Sequence, residues 1–415
     1  MDDRNRFSEP PITRRSMNSD PKSCPACGGS DFSLLADFGT VPRSGTFLES
    51  REESFPTLQL SFDYCTTCAL LRQNWRGESI PHDYREVPRA TSRQLPSYTA
   101  QIADSLKKRG IGPKDLIVEV GANDGAFLEL LSDRGFVNLI GIEPSKACAD
   151  SCRKTGYRVK ESYLDDELSK SIRIKHGPAR AVICRHTLEH VPNPSGFLKN
   201  MRQLLADEGI LFVEVPSSHT IIHDLYGYEL WDEHLHIFSP ENLAQAVSRA
   251  GFDVLSFEAW PLRGTENILL WAIVKPPARL PSCEYRRDIN ACAGFMAQWS
   301  RFSRNLDGYL AGIEGSISAI GASHPQSNFW LFTKLGNRID QLIDDDPVKI
   351  GRFVPIPKPV PVISSKQHVL MPSAAIVMSA FGYDQWMNSI VEEFICKDVR
   401  IICPYSPRRL LESHN

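Results

Sequence analysis

The sequence lacks several features that would assign the protein to a specialised class. No apolar run approaches the roughly 18 residues needed to span a bilayer, and the N-terminal stretch has no apolar core of a secretory signal peptide. Positive and negative charges nearly balance, with a net charge of −3, so no basic excess points to nucleic acid. These absences favour a cytoplasmic globular protein that binds neither nucleic acid nor a membrane.

The cysteines form no recognisable disulfide framework. Eleven are present, and without a secretory signal we expect them to be reduced. Seven are scattered and are expected to act as small buried hydrophobic side chains. The other four form two Cys-x-x-Cys pairs, Cys24/Cys27 and Cys65/Cys68.

Two such pairs can clamp opposite sides of one tetrahedral ion. Glycines at 28 and 29 suit the tight turn after the first pair, and closing the long loop between the pairs is only slowly penalised by its length. We therefore predict a structural zinc site with Cys24, Cys27, Cys65 and Cys68 as ligands. Four cysteine ligands leave no coordination position open for catalysis.

The chain divides by pattern into a polar tail and three further segments. We expect a disordered tail at 1–20, a four-cysteine zinc-binding domain at 21–80 and a cofactor-binding domain at 81–275. After a Pro-rich join, 276–415 is expected to form a smaller Rossmann-like domain that binds substrate. Strand-like and helix-like runs alternate along 81–275, which predicts an α/β fold with a mostly parallel, doubly wound sheet.

The segment Val118-Glu-Val-Gly-Ala-Asn-Asp-Gly125 reads as a buried strand that runs into a glycine-rich turn and then a helix. Gly121 and Gly125 allow a tight turn and close approach of a ligand. The three-glycine dinucleotide pattern and the Walker lysine are both missing, so phosphate binding is weakly supported. Glu119 would repel a pyrophosphate but could accept a hydrogen bond from an ammonium group or its bridging water.

Glu143 ends the next predicted strand, where α/β nucleotide sites place the acidic residue that binds ribose hydroxyls. A cofactor with an amino acid and a sulfonium group fits these carboxylates better than a dinucleotide does. The pattern resembles motifs I and II of class I methyltransferases and implies S-adenosylmethionine as cofactor. The predicted contacts are Glu119, Gly121, Asn123, Asp124, Gly125 and Glu143.

Two histidine clusters are candidates for acid–base chemistry. One follows the strand that ends near Cys184 and contains His186, Glu189 and His190. The other is Trp231-Asp-Glu-His-Leu-His236. Histidine can take a proton at neutral pH, and a neighbouring carboxylate can orient it. We predict His234, Glu233 and His190 as catalytic; His186 and His236 are expected to serve structure. Zincin spacing is missing, so a metal site of histidine and glutamate is not favoured.

From the tail onward the sequence resembles the sugar C-methyltransferases of antibiotic deoxysugar pathways. The resemblance runs through the Cys-x-x-Cys pairs, VEVGANDGAFLELL, GIEPS, HTLEHVPNP, DEHLHIFSPENL, IDDDPVKIGRFVP and AIVMSAFGYDQWMNSIVEEF. It implies a nucleotide-linked 4-keto sugar as substrate. A base removes the proton beside the ketone, and the enolate takes the methyl group. The family's Glu-His pair falls on Glu233 and His234, its other histidine falls on His190, and its C-terminal domain helps to bind the nucleotide sugar.

Three positions depart from that family. Trp231 stands where a tyrosine is common, Tyr84-Arg-Glu86 keeps a Tyr-x-Tyr segment only in part, and His324-Pro-Gln326 stands where a lysine is common. These departures leave the substrate open. An O- or N-methyltransferase of a sugar or another small metabolite remains an alternative. A non-catalytic, zinc-organised binding protein is a second alternative, which the intact Glu119 and Glu143 disfavour.

Overall fold

The computed structural model describes residues 23–74, 98–262, 265–275, 285–370, 372–379 and 399–402. The predicted tail, the Tyr84-Arg-Glu86 segment and most of the Pro-rich join lie outside the described residues. Within them, no helix combines the length and apolar character needed to cross a bilayer.

The strands of the described residues fall into three sheets. They are β1 (Phe32–Pro42), β2 (Thr57–Cys65), β3 (Leu71–Gln73), β4 (Ile117–Val120), β5 (Leu139–Ile142), β6 (Arg158–Lys160), β7 (Ala179–Arg185), β8 (Leu205–Pro216), β9 (His236–Ile237), β10 (Asp253–Leu262), β11 (Thr265–Ile273), β12 (Ile317–Ile320), β13 (Gln341–Ile343), β14 (Phe353–Pro355), β15 (Pro359–Ile363), β16 (Ala375–Met378) and β17 (Arg400–Ile402).

Helices connect and cover these strands. They are α1 (Thr99–Lys108), α2 (Ala126–Asp133), α3 (Lys146–Lys154), α4 (Asp166–His176), α5 (Pro194–Leu204), α6 (Ser218–Asp224), α7 (Pro240–Arg249), α8 (Arg286–Ala311), α9 (His324–Thr333) and α10 (Ser365–Leu370). Short 3₁₀ turns occupy Leu188–His190, Gly227–Glu229 and Gly336–Arg338.

The central sheet has seven strands in the order β10-β11-β8-β7-β4-β5-β6. The five strands β6, β5, β4, β7 and β8 run parallel to one another. Strand β11 runs antiparallel to β8, and β10 runs antiparallel to β11. Every residue of β4 and β5 is buried, because helices cover both faces of a parallel sheet. The predicted doubly wound fold is therefore observed, and the carboxyl ends of its parallel strands share one edge.

One helix is shorter than the sequence pattern predicts. The pattern 197–209 reads as helical, but α5 ends at Leu204 and β8 begins at Leu205. Leu205 pairs with Ala179 of the neighbouring strand. Pairing in the sheet therefore takes precedence over the local helical preference.

The two flanking sheets share one core with each other, and the cysteine module shares a second core with the central sheet. The N-terminal sheet has the order β1-β2-β3-β9, so its last strand comes from the segment that follows His234. The C-terminal sheet has the order β14-β15-β13-β12-β16-β17, with β14 as its antiparallel edge strand. One hydrophobic core joins Phe62 of β2, Tyr228, and Trp299 of α8. The domain limits inferred from the sequence stay a prediction, since side chains from all three segments share this core.

Buried Glu214 of β8 holds the edge of the central sheet together. Its carboxylate accepts hydrogen bonds from Arg185 Nε at 2.6 Å, Asn267 Nδ2 at 2.8 Å and the Tyr98 hydroxyl. His186 Nε2 lies 3.2 Å from it. Burial disfavours the Glu214 charge, but Arg185 and His186 outweigh burial and hold the pKa of Glu214 well below its usual range. The network ties together β7, β8, β11 and the start of α1.

Arg185→Met should destabilise the protein strongly, because it leaves the Glu214 carboxylate buried without its ion-pair partner. Breaking a buried pair from one side costs about 3–5 kcal/mol of unfolding free energy, measured by calorimetry at pH 7. The double variant Arg185→Met/Glu214→Gln should recover part of that loss. Arg153→Met, which removes an exposed ion pair with Asp150, is the control and should change little. Equal effects of the two single variants would contradict the role of the network.

Candidate functional site

The turn after β4 has a backbone that only glycine tolerates. Gly121 has a φ of 80°, and a Cβ atom placed on it would lie 2.0 Å from Thr187 Oγ1. Gly125, with a φ of 85°, is the N-cap of α2, and its Cβ would lie 2.6 Å from Cys152 Sγ. The backbone therefore passes close to the loop after β7 and to α3, and the amide groups at the start of α2 face the edge of the sheet.

Glu143 joins the turns that follow β4 and β5. Its carboxylate accepts hydrogen bonds from Asn123 N at 2.9 Å and Ser145 N at 2.7 Å. Asn123 in turn accepts from Asp124 N through its side chain, at 2.7 Å. Both Glu143 and Asp124 are buried. The structure therefore brings together the predicted cofactor residues of both turns, with Glu143 rigidly placed at the end of β5.

Glu119 lies in β4, just before the glycine turn, and one of its carboxyl oxygens lacks a hydrogen bond within the described residues. The residue is buried, and its Oε2 has no hydrogen-bond partner in the part of the chain that the structure describes. Burial raises the pKa of Glu119 to about 8; Arg185 opposes this, and Glu143 and Asp124 add to it. A buried carboxyl group without a partner is costly, so this oxygen is a natural acceptor for a ligand's ammonium group.

The two predicted histidines meet at the same edge of the sheet. The rings of His190 and His234 lie 5.1 Å apart, centroid to centroid. His190 Nδ1 donates to the carbonyl oxygen of Glu233 at 2.8 Å, and His234 Nδ1 donates to that of Glu229 at 3.2 Å. Since a carbonyl can only accept, these bonds fix the tautomers and make Nε2 the basic nitrogen of each ring.

Glu189 is the carboxylate that the structure places among the histidines. One of its oxygens and a ring nitrogen each of His190 and His234 lie within 4.8 Å of one another, and its Oε1 is 3.8 Å from His186 Nδ1. Burial would raise the pKa of Glu189, but the three histidines outweigh burial and lower it. The sequence pattern assigned no role to Glu189, although this residue directly precedes His190.

Glu233 reaches the histidines through its backbone, by the carbonyl bond to His190. Burial and the adjacent His190 lower the pKa of His234 to about 3, so this ring is neutral at physiological pH. Burial opposes protonation of His186, but Glu214 and Glu189 raise its pKa to about 9. At this edge of the sheet, His186 is thus cationic at pH 7 and His234 is neutral.

Trp231 connects this site to the C-terminal segment. Its ring packs edge-on to His234 with centroids 4.9 Å apart, and it stacks on His324 at the start of α9 at 5.1 Å. A cavity beside this stack is lined by Arg43 and Ser44, which follow β1, and by residues of α9 such as Asn328. The departures Trp231 and His324 are therefore neighbours, and they form one wall of the candidate site.

The four paired cysteines converge on one point. Cys24 Sγ lies 3.5 Å from Cys68 Sγ, and Cys27 Sγ lies 3.6 Å from Cys65 Sγ, while all four sulfurs lie within 4.8 Å of one another. Sulfurs at the corners of a tetrahedron with bonds of about 2.3 Å are separated by about 3.8 Å. The donor set and its spacing therefore fit a tetrahedral zinc ion.

Comparison with known proteins matches this architecture. Residues 88–257 match the family model of a methyltransferase domain. Over 411 residues the chain is 26% identical to the C-methyltransferase NovU of Streptomyces niveus. The aligned region covers 94% of this chain and 97% of the relative.

Solved structures of low sequence identity are also similar over part of the chain. An S-adenosylmethionine-dependent methyltransferase from Clostridium acetobutylicum is 11% identical with a TM-score of 0.35, covering 43% of this chain and 91% of its own. Magnesium protoporphyrin IX methyltransferase from Synechocystis, with bound SAH, is 14% identical with a TM-score of 0.34, covering 42% and 80%.

The predicted fold class is confirmed by the order of the central sheet together with the family match. Residues 88–257 form a methyltransferase domain of the class I Rossmann-like fold, and the protein is a methyltransferase.

Proposed function

We propose that the protein is a C-methyltransferase that acts on a nucleotide-linked keto-deoxysugar through an enolate. One observation carries the proposal: His190 and His234 present fixed basic nitrogens beside buried Glu189, next to the cofactor turn. The similarity to a C-methyltransferase along nearly the whole chain supports it. An antibiotic deoxysugar pathway is the proposed context.

His234 is the proposed base. Its neutral Nε2 takes the proton from the carbon beside the ketone, and the negative charge of Glu189 stabilises the imidazolium that forms. Its low pKa in the free protein arises mainly from burial, so a polar substrate and Glu189 must favour the charged form during the reaction. His190 is proposed as a polar partner of the ketone or enolate oxygen. Glu233 is proposed to position both rings from the connecting loop.

Six residues are proposed to hold the cofactor. When bound, S-adenosylmethionine supplies the electrophilic methyl group. Glu143 would accept hydrogen bonds from the ribose hydroxyls, Glu119 would accept from the ammonium group, and Asp124 and Asn123 would line the turn. Gly121 and Gly125 would let the backbone approach, since side chains there would also collide with the protein itself.

The four-cysteine cluster is proposed to bind a structural zinc ion, and the C-terminal segment is proposed to bind the nucleotide sugar. Ser323 and His324 at the start of α9 line the cavity next to the Trp231–His324 stack, and the dipole of a helix start favours an anion such as phosphate. A cytoplasmic location is part of the proposal, because reduced thiolates are stable there.

Methyl transfer to oxygen or nitrogen is the alternative. It needs a base but no enolate, and the histidine pair would serve it equally well. The fate of the proton on the substrate carbon distinguishes the two reactions.

Enzyme incubated in heavy water with a nucleotide-linked 4-keto sugar and S-adenosylhomocysteine should exchange the proton beside the ketone. His234→Ala should lower both exchange and methylation by about 10²–10⁴-fold, as expected for loss of a general base. Glu189→Gln should lower both more than Glu233→Gln, because a Glu189 carboxylate oxygen lies within 4.8 Å of a ring nitrogen of each histidine. Exchange is followed by NMR.

His176→Ala is the matched control, since His176 ends α4 just before β7 begins, at the opposite edge of the sheet. It should leave both rates unchanged. A base that is shielded from solvent can return the same proton, so a lack of exchange does not exclude an enolate. The position of the new methyl group in the product, determined by NMR, is therefore decisive. A new methyl group on oxygen or nitrogen would rule out the proposed reaction.

Binding of S-adenosylmethionine should strengthen as the pH rises toward 8. Glu119 with a pKa of about 8 is mostly protonated at pH 7 and must release its proton to accept from an ammonium group. The affinity should therefore rise by up to roughly tenfold per pH unit below 8. Calorimetry in two buffers should detect this proton release, and Glu119→Gln should show only the titration of the ligand's own amino group. The same pH slope in both proteins would exclude Glu119 as the acceptor.

The cobalt-substituted protein should show a thiolate-to-cobalt absorption band, and Cys24→Ser or Cys65→Ser should lose it. Since metal binding is coupled to folding in such modules, the thermal midpoint should fall with it. Cys292→Ala, at a buried cysteine of α8, is the control and should keep the band. A band that persists when all four paired cysteines are replaced would refute the assignment.

A further inference from the structure

A second group of potential metal ligands lies where α6, α7 and α8 meet. His219 and His223 are one turn apart on α6, and they face Asp288 in the first turn of α8. Glu241, in the first turn of α7, lies close to His219. This group is separate from both the cysteine cluster and the candidate active site.

Two of the distances match the spacing of ligands around one ion, and the third is a hydrogen bond that a bound ion would replace. His219 Nε2 lies 3.4 Å from Asp288 Oδ2 and 3.5 Å from Glu241 Oε2, and His223 Nε2 lies 2.8 Å from Asp288 Oδ1. Ligand atoms around a tetrahedral ion with bonds of about 2.0–2.1 Å lie about 3.3–3.4 Å apart. A ring nitrogen of each histidine and an Asp288 oxygen already lie within 4.8 Å of one another.

Several polar atoms of the group are buried without hydrogen bonds. His219 Nε2, Glu241 Oε2 and the nearby Glu266 Oε1 have no hydrogen-bond partner among the residues that the structure describes. Buried polar atoms are normally satisfied. Because a carboxylate can only accept, Glu241 needs a proton donor or a cation at this point.

The charge of the group also favours a cation. Two imidazoles face the three carboxylates of Asp288, Glu241 and Glu266, so the group is negative even when both histidines are protonated. Two imidazoles and carboxylate oxygens form a donor set that zinc prefers among abundant divalent ions.

We propose that His219, His223, Asp288 and Glu241 bind a second divalent cation of the zinc class. The ion joins α6 and α7 of the methyltransferase segment to α8 of the C-terminal segment. Because α6 leads directly into the segment that carries His234, the ion also fixes one end of that segment. The site is structural, since four protein ligands fill a tetrahedral ion.

Cobalt titration of the metal-free full-length protein tests the proposal. The wild type should bind about two ions per chain, one with the thiolate-to-cobalt band and one with the weaker spectrum of nitrogen and oxygen ligands. His219→Ala/His223→Ala should bind only the thiolate-coordinated ion. Asp288→Asn, which keeps size and polarity at the contact, should weaken the second ion at least about tenfold and leave the thiolate band intact.

His176→Ala serves as the control for loss of a histidine and should still bind both ions. X-ray absorption of the zinc protein should show mixed sulfur and nitrogen/oxygen ligation in the wild type and sulfur alone in the double variant. The proposal would be overturned if the wild type, saturated with zinc, showed sulfur ligands alone. Unchanged binding of the second ion by Asp288→Asn and by the double variant would overturn it too. Each result is independent of methyl transfer.

Discussion

The buried carboxylate of Glu214 is the interaction on which the arrangement of the site depends. It sits within the sheet, where an unpaired charge is not tolerated, so Arg185, Asn267 and Tyr98 must converge on it. His186 is drawn to the same carboxylate and takes a left-handed backbone with a φ of 46°. That backbone turns the chain sharply after β7. As a result Thr187 lies against Gly121, and the 3₁₀ turn that carries Glu189 and His190 begins at the edge of the sheet.

This turn places the proposed acid–base residues beside the proposed cofactor site. The parallel strands end at one edge, so the glycine turn after β4 and Glu143 after β5 come together by topology alone. The second histidine arrives from far along the chain: Leu235 N donates to the Glu189 carbonyl oxygen at 2.8 Å, which holds the His234 segment against the 3₁₀ turn. Two backbone carbonyls then fix both rings.

The flanking segments support this loop from two sides. Ile237 of β9 pairs with Leu71 of β3, and Asn242 donates from α7 to the carbonyl oxygen of Cys68, so the cysteine module braces the chain just after His234. On the other side, the contacts of His219 and His223 with Asp288 anchor α6 to α8. Trp231 contacts His234 and stacks on His324, so it joins the C-terminal segment to the proposed base. The proposed metal sites and the proposed base are thus linked through one loop.

The sequence by itself determined the central fold, because buried apolar strands, glycine turns and capped helices are local signals with fixed physical causes. It also singled out as candidates the four cysteines, both turn carboxylates, and His190 and His234, and the structure brings the members of each group together. Only the tertiary structure decided which carboxylate faces the histidines. Glu189 and Glu233 each precede a histidine in sequence, and the direction of a side chain depends on packing across a long separation. The sequence also could not show that His219 and His223 lie close to Asp288. Their helices, α6 and α8, are far apart in sequence and are brought together only by the shared core.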